Sequence, residues 1–107
     1  MKVNIKPLSV NECFKGRRFR TEKYNTYERN LKLLLPKFKV PDGKLFVTLG
    51  FGFSSKLADI DNPVKAFIDV LQKKYNFNDR DIFKLHIDKE IVKKGKEYIK
   101  FEIKSIK

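Results

Sequence analysis

The segment from residue 44 to residue 53 most constrains the fold, because its residue types alternate along its length. Large apolar side chains occupy every second position, namely Leu45, Val47, Leu49, Phe51 and Phe53. The intervening positions include Gly50 and Gly52, where another backbone or a DNA strand could approach closely. Alternation with a period of two predicts a β-strand with one buried face. The chain is therefore expected to form a sheet with a covering layer.

Two segments with helical spacing and three further strand-like segments complete the pattern. Thr21 as N-cap predicts a helix over residues 22–35, and Asn62 as N-cap with Pro63 at the first helical position predicts another ending near Tyr75. Strands are predicted over residues 2–5, 81–92 and 96–104, with a hairpin turn at 93–95, and residues 9–23 are expected to form an irregular loop. The order β-α-β-α-β-β predicts an α+β fold with one mixed sheet and both helices on one face, in a single domain over residues 1–107.

The charge of the chain points to a polyanionic partner. Its formal net charge is +12. Residues 1–39 contain 11 basic and 3 acidic residues, and residues 84–107 contain eight basic and four acidic residues. The middle stretch, residues 40–83, contains six basic and six acidic residues and is neutral. Such an excess favours nucleic acid. A membrane surface fits less well, because no helix is both strongly basic and strongly amphipathic. Without an apolar leader or a span of membrane length, we expect a cytoplasmic location.

Cysteine and histidine usage narrows the chemistry. The single Cys13 excludes an internal disulfide and a cysteine-based zinc site, and the single His86 argues against a histidine-rich metal site. We expect Cys13 to be a small semi-buried residue and His86 to lie at the surface or in an interface. Carboxylates are therefore the main candidates for metal ligands.

A group of carboxylates lies in the one neutral stretch of the chain. Asp59 and Asp61 precede the second helix, and Asp79 follows it. In an extended segment Asp59 and Asp61 would point the same way, and carboxylate oxygens suit Mg²⁺ or Mn²⁺. Because acids near a polyanion need a divalent cation between them, the pattern favours metal-dependent phosphodiester hydrolysis. The alternative is structural, with the acids stabilising a helix N-terminus and Lys65 pairing with Asp69 four residues on.

The same residues resemble a known family. The run Asp59-Ile-Asp61-Asn62 with Lys65, an apolar helix and a later acid near Asn78-Asp79 is similar to the RusA-type Holliday junction resolvases. The opening run Pro7-Leu-Ser9-Val-Asn11 resembles the Pro-x-Ser-x-Asn start of that family. Together these matches cover most of the chain in the same order.

The resemblance implies a homodimeric crossover junction endodeoxyribonuclease that resolves four-way DNA junctions by paired nicks in recombination and repair. It implies Mg²⁺ as cofactor, with Mn²⁺ as a substitute. The positions of the essential acids and metal ligands correspond to Asp59, Asp61 and Asp79, and that of the catalytic lysine to Lys65. Asn62 would orient the loop or cap the helix.

Two departures from the family pattern leave alternatives open. The family often has two aspartates where this chain has Asn78-Asp79, so Asp81 is the alternative third acid. The basic run before the first aspartate is reduced to Lys56, so DNA contacts shift toward the N-terminal basic segment. The expected DNA-binding residues are Lys15, Arg17, Arg18, Arg20, Lys23 and Lys56.

Two phenylalanines lie among these basic residues. Phe14 and Phe19 suit stacking against an opened base, and the alternative is a solvated loop whose phenylalanines fill the core. Two other functions remain open for the chain. One is a non-catalytic basic nucleic-acid-binding module, and the other is a less selective nuclease that acts on flaps or replication forks.

Overall fold

A four-stranded mixed sheet and two helices form the body of the protein, in a computed structural model that describes residues 1–16 and 19–106. The strands are β1 (Lys2–Val3), β2 (Phe14–Lys15), β3 (Phe19–Arg20), β4 (Leu45–Phe53), β5 (Ile82–Ile91) and β6 (Tyr98–Ser105). The helices are α1 (Glu22–Leu34) and α2 (Val64–Tyr75), with short 3-10 turns at Val10–Glu12 and Asp79–Asp81. The predicted α+β class, mixed sheet and two helices are confirmed. In the described part of the chain, neither helix is long and apolar enough to cross a membrane.

The sheet has the spatial order β1-β6-β4-β5. β4 pairs in parallel with β5, from Leu45 opposite Ile82 to Phe53 opposite Ile91, and antiparallel with β6. Parallel neighbours require a crossover connection, which α2 supplies between β4 and β5. This connection brings the residues around both ends of α2 next to β5.

One face of the sheet packs against both helices. Of the predicted alternating residues of β4, Leu45, Val47, Leu49 and Phe51 are buried there and Phe53 is partly buried, and β6 contributes Ile99, Phe101 and Ile103. Phe67 of α2 packs edge-on against Phe51 and Phe101, with ring centroids 6.2 and 5.6 Å away. Removal of this apolar surface from water provides the main driving force for folding.

Helix α1 begins and ends where local chemistry requires. The Thr21 hydroxyl accepts a hydrogen bond from the backbone N–H of Tyr24 at 3.2 Å, so the predicted N-cap is confirmed. The helix ends at Leu34, and Leu35 is extended because Pro36 follows it. The face of α1 that meets the core carries Tyr24, Tyr27 and Leu31.

The start of α2 differs from the prediction. Asn62 does not cap the helix, because residues 60–63 form a bend and turn and no side chain accepts from the first N–H groups. The turn is closed by a backbone hydrogen bond from Val64 to the carbonyl of Asp61 at 3.2 Å. At the other end, Asn76 adopts a left-handed conformation and ends the helix.

The N-terminal basic segment also differs from the prediction. Instead of an irregular loop, β2 and β3 form a two-stranded antiparallel ribbon, which the predicted element order lacks. Gly16 at its turn has a φ of +67°, a conformation that glycine adopts readily. A hydrogen bond from Thr21 N–H to the carbonyl of Cys13 continues the pairing of the two strands at the base of the ribbon.

Neither helix of the described chain packs on the second face of the sheet, where a side chain of the protein itself covers one glycine. Tyr98 lies directly over Gly52, so that a Cβ at Gly52 would overlap its ring. The amines of Lys2 and Lys100 lie 4.6 and 5.1 Å from the ring centroid of Tyr98. The close approach of another backbone or DNA strand expected at Gly52 is therefore blocked by Tyr98.

Candidate active site

A cleft between α2 and β5 brings three of the predicted site residues together. Asp61, Lys65 and Asp79 line it, and its volume is about 490 Å³. Its apolar walls are formed by Val64, Ile68, Ile82, Phe83, Leu85 and Ile87. The crossover connection explains this arrangement, because Asp61 precedes α2 and Asp79 follows it, and β5 runs back beside both.

The carboxylates of Asp61 and Asp79 have no partner in the described chain, whereas the backbone of each residue forms a hydrogen bond. Within residues 1–16 and 19–106, neither side chain forms an ion pair or a hydrogen bond with another residue. The carbonyl of Asp61 accepts from Val64 N–H, and the N–H of Asp79 donates to Gln72 Oε1 at 2.9 Å. Carboxylate oxygens without protein partners can accept a hard cation such as Mg²⁺.

Asp59 lies apart from that cleft. Because residues 60–63 bend, the extended segment that would align Asp59 with Asp61 is absent. Asp59 accepts a hydrogen bond from Asn62 Nδ2 at 3.3 Å and lines a separate cavity of about 320 Å³. In the part of the chain that the structure describes, no group of three or more histidine, cysteine or acidic residues could hold a metal ion.

Asn62 joins two segments that the family resemblance treats as separate motifs. Its backbone carbonyl accepts a hydrogen bond from Val10 N–H at 2.9 Å. Pro7 and Ser9 line the cavity that contains Asp59 and Asn62. The opening motif therefore supports the aspartate loop, although about fifty residues separate them in the sequence.

A chain of hydrogen bonds along α2 connects Lys65 with Asp79. Lys65 Nζ donates to Asp69 Oδ1 at 3.2 Å, as in the structural alternative considered for this lysine. Gln72 Nε2 donates to the same oxygen at 3.4 Å, and Gln72 Oε1 accepts from the backbone of Asp79. Gln72 was missed in the sequence. The polar positions 65, 69 and 72, spaced by four and three residues on one helix face, were the available signal.

Asp81, the alternative third acid, lines a different cavity. That cavity also contains Gly43 and Tyr75 and lies at the start of β4 and β5. Of the two candidates, Asp79 is therefore the one that shares a cleft with Asp61.

The predicted DNA-binding residues fall into three groups. Arg20 and Lys23 form ion pairs within the protein, with Glu28 at 3.2 Å and Glu12 at 3.0 Å. Lys15 and Lys56 are exposed. Arg17 and Arg18 lie outside the described residues.

Glu28 connects the ribbon with both helices. It accepts from Arg20 of β3 and from Lys73 of α2, the latter at 2.6 Å. Burial alone would raise the pKa of Glu28, but the hydrogen bonds from Lys73 and Arg20 outweigh it and hold the pKa below its ordinary value. The Arg20 guanidinium also lies 4.0 Å from the centroid of the Tyr24 ring. Arg20 thus has a structural role in the described chain.

The two phenylalanines of the ribbon differ in environment. Phe14 packs edge-on against Tyr24, with ring centroids 5.7 Å apart. Phe19 is 74% exposed and does not fill the core. An exposed aromatic ring beside basic residues is a platform on which a nucleic-acid base could stack.

Cys13 and His86 are both outside the cleft. Cys13 is buried more fully than expected, and burial raises the pKa of its thiol, which disfavours the nucleophilic thiolate. His86 lies exposed on β5 and forms a 2.9 Å contact with Asp88. Neither side chain lines the cleft that contains Asp61 and Asp79.

No protein-family model matches the chain, and no curated protein matches it. The likeness to the RusA-type resolvases therefore depends on the residues named above and on their placement.

Proposed function

We propose that the protein is a divalent-metal-dependent endodeoxyribonuclease that cuts branched DNA, with the four-way junction as its substrate. The observation that carries this proposal is the cleft lined by Asp61, Lys65 and Asp79, whose two carboxylates have no partner among the described residues, in a chain with a net charge of +12. Unpaired acids in a strongly basic chain are suited to hold the cation that DNA cleavage requires.

In this proposal Asp61 and Asp79 hold Mg²⁺, or Mn²⁺ in its place, through carboxylate oxygens. The bound cation would supply an activated water and would stabilise negative charge on the phosphate. Lys65 exchanges its contact with Asp69 for the scissile phosphate. Asp59 would supply a third ligand if the bend at residues 60–63 opened and its hydrogen bond with Asn62 were released.

DNA binding is assigned to the basic ribbon and its exposed ring. Lys15, together with Arg17 and Arg18 from outside the described residues, would contact phosphates. Phe19 would stack on a base at the open centre of a junction. A homodimer would place two clefts around a two-fold axis, which matches paired nicks in a junction of similar symmetry.

Cleavage of a labelled synthetic four-way junction tests the proposal. The substrates are the junction, a flap, a fork and a linear duplex with the same arms, each in Mg²⁺ and in EDTA. The proteins are the wild type, Asp61→Asn and the matched control Asp42→Asn, which changes an exposed acid of the turn before β4. We expect paired nicks in the junction alone, lost in EDTA and in Asp61→Asn, with DNA binding retained and the control unaffected.

A second candidate function is a basic DNA-binding module without catalysis. It is favoured by the separation of Asp59 from Asp61 and by the lack of a three-ligand group among the described residues. Salt-dependent junction binding with no nick in any metal would support it and reject the nuclease. Nicks in flaps or forks as frequent as in junctions would instead indicate a less selective nuclease.

A further inference from the structure

β5 is a long strand at the edge of the sheet. Nine of its ten residues pair with β4 on one side, and in the described part of the chain no backbone group bonds to its other side. An open edge of this length presents unpaired N–H and C=O groups that can pair with another strand. The free edge therefore requires an explanation beyond the monomer fold.

The side chains of β5 remain exposed on both faces of the sheet. Phe83, Leu85 and Ile91 are 63%, 41% and 42% exposed, although Val47, the β4 neighbour of Leu85, is fully buried. α2 leaves this margin of the sheet uncovered and forms the cleft there instead. Exposed apolar residues along an open edge are typical of a surface that another chain covers.

The sequence of β5 restricts what that chain can be. In a dimer of antiparallel β5 strands, a two-fold axis perpendicular to the sheet keeps each face of one copy continuous with the same face of the other. Side chains alternate between the two faces, and residues directly opposite each other must point to the same face. The axis must therefore lie between the two copies of one residue, which then faces itself across the interface. Three residues near the middle of β5 can lie on it, namely His86, Ile87 and Asp88.

An axis at Ile87 gives the best match of charges. It places Lys84 opposite Glu90 and His86 opposite Asp88, and each pair occurs twice in the dimer. Each of these four side chains on the uncovered face of β5 then lies opposite a side chain of the second copy that is complementary in charge or hydrogen bonding. Ile87 meets its own copy on the other face.

The neighbouring registers match less well. An axis at Asp88 places that carboxylate opposite itself, which is unfavourable. An axis at His86 pairs Lys84 with Asp88 but leaves Glu90 opposite the irregular start of β5, without a charged partner. Charge complementarity therefore selects a second copy of this chain as the occupant and Ile87 as the centre.

We propose that two copies of the chain pair through the free edges of β5, antiparallel and centred on Ile87, to form one continuous eight-stranded sheet. The two clefts then lie on the same side of this sheet, one on each side of the axis. Lys89 of the second copy lies opposite Leu85, which lines the cleft, and brings a positive charge to its border. The proposed function also requires a homodimer, and to that extent the inference rests on it. The location and register of the interface are argued from β5 alone.

Sedimentation of charge-reversed variants tests the pairing without reference to cleavage. The proteins are the wild type, Lys84→Glu, Glu90→Lys, the double variant, and the control Lys94→Glu in the turn between β5 and β6. We expect each single reversal to raise the dimer dissociation constant about tenfold or more, because two like-charged pairs replace two opposite ones. The double variant should restore wild-type association, and the control should not change it.

A cysteine scan tests the register. His86→Cys, Ile87→Cys and Asp88→Cys are oxidised separately, with the wild type, whose only thiol is the buried Cys13, as control. Residues that face each other in antiparallel strands have Cα atoms about 4.5–5.5 Å apart, within the range of a disulfide. We expect rapid cross-linking of Ile87→Cys alone, with circular dichroism confirming the fold of each variant.

The outcomes of both experiments are decisive. A monomeric wild type at the highest soluble concentration, or cross-linking at position 86 or 88 in place of 87, overturns the proposal. Because association and cross-linking are measured without DNA or metal, a dimer that does not cut junctions would reject only the proposed function. A monomer that cuts them would reject only the interface.

Discussion

β4 and β5 are neighbours in parallel register, yet their environments are opposite. Leu45, Val47, Leu49 and Phe51 on the core-facing side of β4 are nearly or fully excluded from water, while the β5 residues at the same level remain partly exposed. The reason is the position of α2, which packs over β4 and leaves a cleft beside β5. The core-facing side chains of β4 are thus covered by the protein's own helices, whereas β5 borders the cleft proposed for DNA cleavage and has the free edge proposed to bind a second copy.

The sharpest test of this comparison replaces one aromatic residue on each strand. Phe51→Ala should lower the free energy of unfolding by about 3–5 kcal/mol, because it leaves a cavity beside Phe67. Phe83→Ala should cost less than about 1 kcal/mol in the monomer, since its ring is largely in water. Urea unfolding at low protein concentration measures both. Equal losses would contradict the assignment of stability to β4.

The uncovered face of β4 offers a test with a matched control. Gly52→Ala should lower the free energy of unfolding by about 1–3 kcal/mol, because the new methyl group displaces the ring of Tyr98. At Gly50 an added Cβ would lie 3.6 Å from Cβ of Lys100, an ordinary contact. Gly50→Ala should therefore be neutral or slightly stabilising. Thermal unfolding compares the two, and a harmless Gly52→Ala would disprove the role of Tyr98.

On the side of the sheet that the helices cover, Glu28 provides a pH-dependent test. Glu28→Gln should lower the free energy of unfolding by about 1–2 kcal/mol at neutral pH, since the partly exposed bonds to Arg20 and Lys73 are weakened. The pKa of Glu28 is depressed by folding, so its contribution is present above the ordinary value of 4.5 and is lost as the pH falls through the folded value. Urea titrations of both proteins should converge at acid pH. A difference that persisted there would have another origin.

The smallest effect is expected in the cleft. Asp61→Asn and Asp79→Asn should each change the free energy of unfolding by less than about 0.5 kcal/mol, because neither carboxylate has a partner in the described chain. Chemical denaturation measured without divalent cations checks this expectation. A loss above about 1 kcal/mol would show that these acids serve the fold.

Elements set by local chemistry were predictable from the sequence, and elements set by distant contacts were not. The alternation in β4 and the Thr21 cap depend on neighbouring residues, and both are confirmed. The Asn62 cap was wrong because the surrounding loop forms a turn and bonds to Val10, far away in the sequence. The ribbon was missed because its strands have only two residues each and show no periodicity.

The candidate site divides in the same way. The sequence indicated Asp61, Lys65 and Asp79, and the crossover topology brings them to one cleft. The direction of Asp59 depended on backbone angles in residues 60–63 that no residue pattern specifies. Gln72 bonds to the backbone of Asp79 only because the chain turns back at the end of α2. The spacing of polar residues could therefore indicate the face of α2 on which Gln72 lies, but not its hydrogen bond to Asp79.

The contact between Gln72 and the backbone of Asp79 restricts how this protein can vary in nature. Lys65 and Gln72 are seven residues apart, nearly two helical turns or about 10.5 Å along the axis. An insertion or deletion of one residue between them would rotate Gln72 by about 100° relative to Lys65 and break the continuous chain of hydrogen bonds from Lys65 through Asp69 and Gln72 to Asp79. Homologues that keep this contact should therefore differ in the composition of α2 and in the length of surface turns, while the number of residues between positions 65 and 72 stays the same.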